Sequence, residues 1–333
     1  KSSRGHRLQG RGPRVNGRDN APRNRAPGGG LRDRARGMFV GLAVGDAIGM
    51  PAEFKEPGEF EPVGGLRAGG PFDLPAGHWT DDTSMALCLA DSLLACGGYD
   101  VRDRYRRWRR EGYRSSTGVC FDIGNQVAAA ISEFESNPWV PRGKPRVLSA
   151  GNGSIMRLAP AIVAAFGARR PKSVVEAAGI SARETHYSVE AEAGTELFAA
   201  MLVRAMEGAD KLEICSPRSL STGKEFDAIL DRVVGVEKLE NTGYIVHGLQ
   251  VAAWAFASHE SFRDGMLAVV NLGGDSDTNG AIYGQLAGAY YGCEAIPRTW
   301  RDGVFMASEI AALADDLLAM KACPVLRTRF EED

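Results

Sequence analysis

From Arg32 onward no stretch alternates apolar and polar residues for more than four positions, so the chain offers a β-sheet no face to bury. Apolar residues recur instead at helical spacing. In TDDTSMALCLADSLLACGG, Met85, Cys88, Leu89, Ser92 and Leu93 fall at i, i+3, i+4, i+7 and i+8, ahead of a Gly97-Gly98 stop. ARGMFVGLAVGDAIG reads as a helix of small residues ending near Gly49-Met50-Pro51, and a Gly/Pro-rich loop follows from Lys55 to His78. The pattern predicts further helices over Val101–Glu111, Ile123–Glu135, Val174–Ala182, Val189–Glu207, Phe226–Val234, Tyr244–Ser258, Phe262–Asn271, Asn279–Gly292 and Met306–Met320. Ala281, Gly284, Gly288 and Gly292 give one helix a face that another backbone can approach closely. The expected fold is all-α: a single compact multi-helix domain over residues 31–333, without repeat or linker, preceded by an arm over residues 1–30.

The charge divides at the same place. The whole chain holds 40 Lys+Arg against 42 Asp+Glu, yet residues 1–36 carry a net +9 and residues 37–333 a net −11. Leu8, Val15, Ala21 and Ala26 are the only apolar residues of the first thirty, Gly and Pro aside. Such a segment cannot bury enough surface to offset its ordering entropy, so alone it is expected to be disordered. It reads as a solubilising tail or as a partner-binding arm. No aromatic residue is interleaved with its arginines, which disfavours nucleic acid as the partner.

The longest apolar run, Leu158 to Phe166, is nine residues and contains Pro160, far short of the ~20 residues that span a bilayer. The six cysteines are scattered without C-x-x-C pairs, as expected of buried thiols in a reducing cytoplasm. The arginines of Tyr105-Arg106-Arg107-Trp108-Arg109-Arg110 read as a solvated helix face.

Two acidic clusters stand where a loop becomes a helix: Thr80-Asp81-Asp82-Thr83 and Asp275-Ser276-Asp277-Thr278. One side chain suffices for an N-cap, and here each site stacks two carboxylates with flanking hydroxyls. Gly273-Gly274 lets the second cluster ride on a tightly turned backbone. Four carboxylates with threonine hydroxyls form a hard all-oxygen set that favours Mg²⁺ or Mn²⁺, and two ions rather than one. If the clusters meet in space, their mutual repulsion calls for cations.

GLAVGDAIGMPAEF (41–54), WTDDTSMAL (79–87), FDIGNQ (121–126), GNGSIMRLAPAI (151–162), ARETHYS (182–188), GYIVHGLQVAAWAF (243–256) and GGDSDTNGAIYGQLAGAYYG (273–292) together resemble the ADP-ribosylglycohydrolase family, that of the dinitrogenase reductase-activating glycohydrolase. The matches run in family order over practically the whole body. The resemblance implies an all-α globule with a binuclear Mg²⁺ or Mn²⁺ centre in a cleft, which removes ADP-ribose from modified protein side chains, arginine foremost. Thr80, Asp81 and Asp82 match the family's first metal triplet, and Asp275, Asp277 and Thr278 its second. Glu53 matches the acidic residue beside the metals and is expected to stay ionised there. Ser276 is expected to point away from the ions. Asn152, Gly153 and Ser154 match a turn that offers N–H groups and a hydroxyl to the diphosphate. His186 matches a ribose-contacting histidine, Asp122 lies in a segment near the scissile ribose, and Tyr244 is a candidate for stacking on adenine. Glu53 or Asp122 would polarise the attacking water. The family also contains immunity proteins that occlude an ADP-ribosylating toxin, which gives the arm a candidate partner beside the modified protein substrate.

Overall fold

The computed structural model describes residues 29–95, 100–137, 150–170 and 173–321; the arm expected over residues 1–30 lies almost wholly outside them. Among the described residues there are fourteen α-helices and no β-strand. They are α1 (Leu31–Gly49), α2 (Asp81–Leu94), α3 (Val101–Glu111), α4 (Asn125–Ser136), α5 (Ala159–Gly167), α6 (Ser173–Ala182), α7 (Val189–Glu207), α8 (Lys211–Cys215), α9 (Lys224–Val234), α10 (Ile245–Ser258), α11 (Phe262–Val270), α12 (Ser276–Tyr291), α13 (Arg298–Arg301) and α14 (Ala307–Leu318). No helix is long and apolar enough to cross a membrane among the described residues.

The pair α1 and α12 forms the axis of the molecule, and glycine makes it possible. A β-carbon at Gly37 would stand 2.3 Å from the Gly288 carbonyl oxygen, one at Gly41 2.2 Å from that of Gly284, and one at Gly45 2.0 Å from that of Gly280. No real side chain tolerates such contacts, so the backbones meet only because every fourth residue of α1 lacks one. The small-residue face of α12 therefore runs through Gly280, Gly284 and Gly288, one residue away from the expected Ala281 at its start. Every residue of α12 is buried. Around the axis, α12 also meets α7, α10 and α11, while α1 meets α2, α5 and α14. Gln285, the one polar side chain midway along α12, is satisfied by the carbonyls of Ile155 and Met156 and by the N–H of Ala159.

The apolar run with Pro160 is helix α5, with proline in the first turn, where its missing N–H costs nothing. The basic run falls on α3, where its arginines pair with nearby acids: Arg106 with Asp103, Arg107 with Glu111, and Arg110 with Glu135. That leaves little net positive field. The described cysteines Cys88, Cys120, Cys215 and Cys293 are free.

Candidate active site

Antiparallel contact between α1 and α12 sets the end of α1, with Asp46, beside the start of α12, and Asp46 in turn holds the start of α2. Asp81 and Asp82 open α2, Asp275 is the residue preceding α12, and Asp277 lies in its first turn. Neither Thr80 nor Asp275 caps its own helix by a side-chain hydrogen bond. The amides of α2 are satisfied from another element. Asp46 of α1, fully buried, accepts from the Thr80 N–H (2.8 Å) and hydroxyl (2.9 Å) and from the Thr83 N–H (3.0 Å) and hydroxyl (2.6 Å). Asp46 thus caps α2 in place of a local residue and leaves Asp81 and Asp82 available for other chemistry.

Two groups of carboxylates result, each with oxygens within 4.8 Å of one another: Asp46, Asp82 and Asp277, and Glu53, Asp122 and Asp277. Asp277 belongs to both. The Thr80 hydroxyl also reaches Asp82 and Asp277 at 3.2 Å, and the Thr278 hydroxyl approaches Asp82 at 3.5 Å. Asp81 and Asp275 stand outside the two tight groups, Asp81 accepting from the Gly124 N–H and Asp275 from the Asn152 amide at 2.5 Å. Glu53 is placed by a backbone clamp: the Phe54 N–H donates to Gly274 O (2.7 Å) and the Gly274 N–H to Lys55 O (2.8 Å). Phe54 pays for this clamp with a left-handed φ of 62°, and Asp122 likewise sits at φ 53°. Gly273 and Gly274, at φ 67° and 60°, complete the turn; a β-carbon there would lie 2.0 Å from Lys55 O or 2.2 Å from Asn241 O.

Burial and mutual repulsion govern the electrostatics. Burial first, then the charges of Asp277, Asp122, Asp275 and Asp81, push the Glu53 carboxyl up to about 12. The same causes raise Asp122 to about 9 and lift Asp81, Asp82 and Asp277 well above the usual carboxylate range. Burial raises Asp46 to about 6 against the lowering effect of its four donors. The ionised state expected of Glu53 was expected beside cations, and positive charge among these carboxylates is what would lower its pKa. Three buried carboxylate oxygens, Glu53 Oε2, Asp82 Oδ1 and Asp277 Oδ1, have no hydrogen-bond partner. Unpartnered buried anionic oxygens are expensive in isolation and are the ligands that hard divalent cations take. The residues fit such cations.

The other expected residues separate into those that face this cluster and those that support it. Ser276 donates to Gly49 O at 2.8 Å, away from the carboxylates. The Asn152 side-chain amide donates to Asp275 at 2.5 Å and so ties the Gly151–Ser154 turn to the start of α12. The Ser154 hydroxyl is turned to Thr195 of α7 at 2.8 Å, and the Asn152 N–H of the same turn donates to Gly243 O at 2.9 Å. His186 is buried beneath that turn, its Nδ1 2.8 Å from the Thr185 hydroxyl. Tyr244 precedes α10 with its hydroxyl held by Glu190 and Arg232, and its ring stands edge-on to His247. Asp46 was not singled out from the sequence. Its signal was a lone carboxylate inside an otherwise apolar, small-residue helix, where an unpaired charge is untenable.

Residues 28–324 match the ADP-ribosylglycohydrolase family. The chain belongs to this family. An ADP-ribosylarginine hydrolase Tri1 of Pseudomonas putida is 39% identical over 296 residues, covering 86% of this chain and 78% of that protein. The ADP-ribosyl-[dinitrogen reductase] glycohydrolase of Rhodospirillum rubrum is 33% identical over 304 residues, covering 87% of this chain and 97% of its own length. A solved structure described as an ADP-ribosylglycohydrolase-related protein complex superposes with a TM-score of 0.77 at 40% identity, covering 88% of this chain and 99% of that one. Like other ADP-ribosylglycohydrolases, the chain is a hydrolase of glycosidic bonds.

Proposed function

We propose that this ADP-ribosylglycohydrolase removes ADP-ribose from modified arginine side chains of proteins, using two divalent cations, Mg²⁺ or Mn²⁺. The observation that carries the reading is the convergence of Glu53, Asp82, Asp122 and Asp277 with three buried carboxylate oxygens lacking a hydrogen-bond partner. Arginine as the modified residue is supported by the two relatives named ADP-ribosylarginine hydrolase, 39% and 34% identical to this chain.

Asp82 and Asp277, with Asp46 behind them, would hold one cation, and Glu53, Asp122 and Asp277 the other, with Thr80 and Thr278 supplying hydroxyls and Asp81 and Asp275 further negative charge. Such cations offset the carboxylates' repulsion and polarise oxygen ligands. Glu53, whose Oε2 has no protein partner, takes a proton from the water that attacks C1″ of the distal ribose, and Asp122 orients that water. The C1″–N bond breaks with its electron pair going to the guanidine, which takes up the proton that Glu53 accepted from the water. Asn152 fixes Asp275, and the Gly151–Ser154 turn and His186 line the ADP-ribosyl side.

The test compares release of ADP-ribose from an arginine-modified and a serine-modified protein with added Mg²⁺ or Mn²⁺. Release from the arginine-modified protein alone is expected; preference for serine would contradict the reading. The +9 charge of residues 1–36 supports a second role, in which the arm occludes the active site of an ADP-ribosylating toxin and hydrolysis is a further layer of protection. On that reading, deleting residues 1–30 abolishes toxin binding and leaves hydrolysis intact. Its free thiols suit action in the cytoplasm.

A further inference from the structure

Arg157 is among the largest fully buried side chains, and its three hydrogen bonds to described residues go to neutral groups. Its Nε donates to the Tyr105 hydroxyl at 2.7 Å, Nη1 to Gly153 O, and Nη2 to the Thr185 hydroxyl at 2.9 Å. A guanidinium can only donate, so Thr185 Oγ1 is an acceptor toward Arg157. The same oxygen lies 2.8 Å from His186 Nδ1. Thr185 has a single hydroxyl proton, and among the described residues Nδ1 is the one acceptor within its reach. Donating that proton to Nδ1 satisfies both groups, whereas accepting from an Nδ1–H would leave a buried hydroxyl proton without a partner.

The opposite nitrogen faces the turn. A β-carbon at Gly151 would lie 3.2 Å from His186 Nε2, and one at Gly153 3.0 Å from it. Two glycines therefore let the turn pass close to this edge of the imidazole, with the Gln126 amide beside Gly151, and Nε2 has no hydrogen bond to a described residue. Burial and the charge of Arg157 lower the pKa of His186 to about 3, which excludes the doubly protonated ring near neutral pH.

We propose that Arg157 and Thr185 are positioning residues that set His186 in its Nε2–H tautomer, so that it donates a hydrogen bond to an acceptor oxygen of the ADP-ribosyl group lodged at the Gly151–Gly153 turn. The proposal rests on the functional reading for the identity of the ligand, and on the hydrogen-bond geometry alone for the tautomer. Arg157 also holds Gly153 O, so one buried cation fixes both the turn and the donor beside it.

The tautomer is read by ¹⁵N NMR of the full-length protein with labelled imidazoles; the chain has five histidines, and His186→Gln identifies the resonances. The wild type is expected to show unprotonated Nδ1 and protonated Nε2. Thr185→Val is expected to mix the tautomers and weaken binding of free ADP-ribose roughly tenfold, the effect of losing about one hydrogen bond. Thr185→Ser restores both readouts. Arg157→Met is expected to mix the tautomers as well, with thermal unfolding monitored for each variant. An Nδ1–H tautomer in the wild type would overturn the proposal, as would a folded Thr185→Val protein with wild-type tautomer and affinity. If a variant does not fold, the wild-type spectrum and Thr185→Ser still decide the tautomer. Failure of the wild type to bind ADP-ribose would instead overturn the functional reading, leaving the tautomer result to stand or fall separately.

Discussion

At the scale of single residues, Asp46 shows what the sequence conceals. Local chemistry makes the threonines and aspartates at the start of α2 look like caps, and the cap comes from a residue 34 positions upstream of Thr80. Asp46→Ala would strand two N–H groups and the Thr83 hydroxyl in a buried site, while the Thr80 hydroxyl keeps Asp82 and Asp277 within reach. At about 1–3 kcal/mol for an unsatisfied buried donor, offset in part by relief of repulsion from Asp82 and Asp277, a loss of about 3 kcal/mol or more is expected in denaturant unfolding. A loss below about 1 kcal/mol would mean that Asp46 does not organise this end of α2. The acidic residues of the site were legible because two carboxylates per helix start exceed what capping requires. The directions of Asn152 and Ser154 were not, because the partners that claim them, Asp275 and Thr195, are 123 and 41 residues away.

At the scale of elements, helical periodicity placed α3 and α7 at their observed ends, and most others within a few residues. Two departures have physical causes. The Leu158–Phe166 run is apolar on all sides because α5 is buried on all sides, which removes the amphipathic signal. Helix α12 starts at Ser276 rather than Asn279, because Gly273 and Gly274 reverse the chain before the acidic cluster and put Asp277 inside the first turn. The axis formed by α1 and α12 yields a prediction that opposes helix propensity. Alanine at an ordinary helical glycine stabilises by about 1 kcal/mol. At Gly45, where the β-carbon would meet Gly280 O at 2.0 Å, Gly45→Ala is expected to destabilise by about 3 kcal/mol and to impair hydrolysis by displacing Asp46 and Asp277. A rise in the thermal midpoint of that variant would contradict the packing described here.

At the scale of the whole molecule, the sequence places a net +9 in residues 1–36 and a net −11 in the rest, and six acidic side chains of that rest, Asp46, Glu53, Asp81, Asp82, Asp122 and Asp277, converge only in the fold. That convergence makes stability depend on pH in a definite sense. Unfolded carboxyls titrate near 4, whereas Asp46 is raised to about 6 and Asp122 to about 9. Between these limits the native state binds more protons than the unfolded one, so the stability of the chelated protein falls as pH rises from about 4 toward 9. Asp315, held low by hydrogen bonds from Arg32 and Arg36, acts in the opposite sense and loses its contribution as pH falls below about 4. The thermal midpoint in excess chelator is therefore expected to be lower at pH 9 than at pH 6, with Mg²⁺ or Mn²⁺ giving its larger stabilisation at pH 9. A midpoint that climbs over that range would contradict the raised values.

On the proposed reading, the converged carboxylates hold the cations on which hydrolysis depends. The most direct measurement is ADP-ribose release from an arginine-modified protein after chelation and re-addition of Mg²⁺ or Mn²⁺, made side by side on the wild type and on Asp277→Ala, the residue common to both carboxylate groups. Activity is expected to vanish with chelation and return with the metal in the wild type, and to stay absent at every metal concentration in a folded Asp277→Ala protein. Turnover by that variant, or by the chelated wild type, would contradict the account.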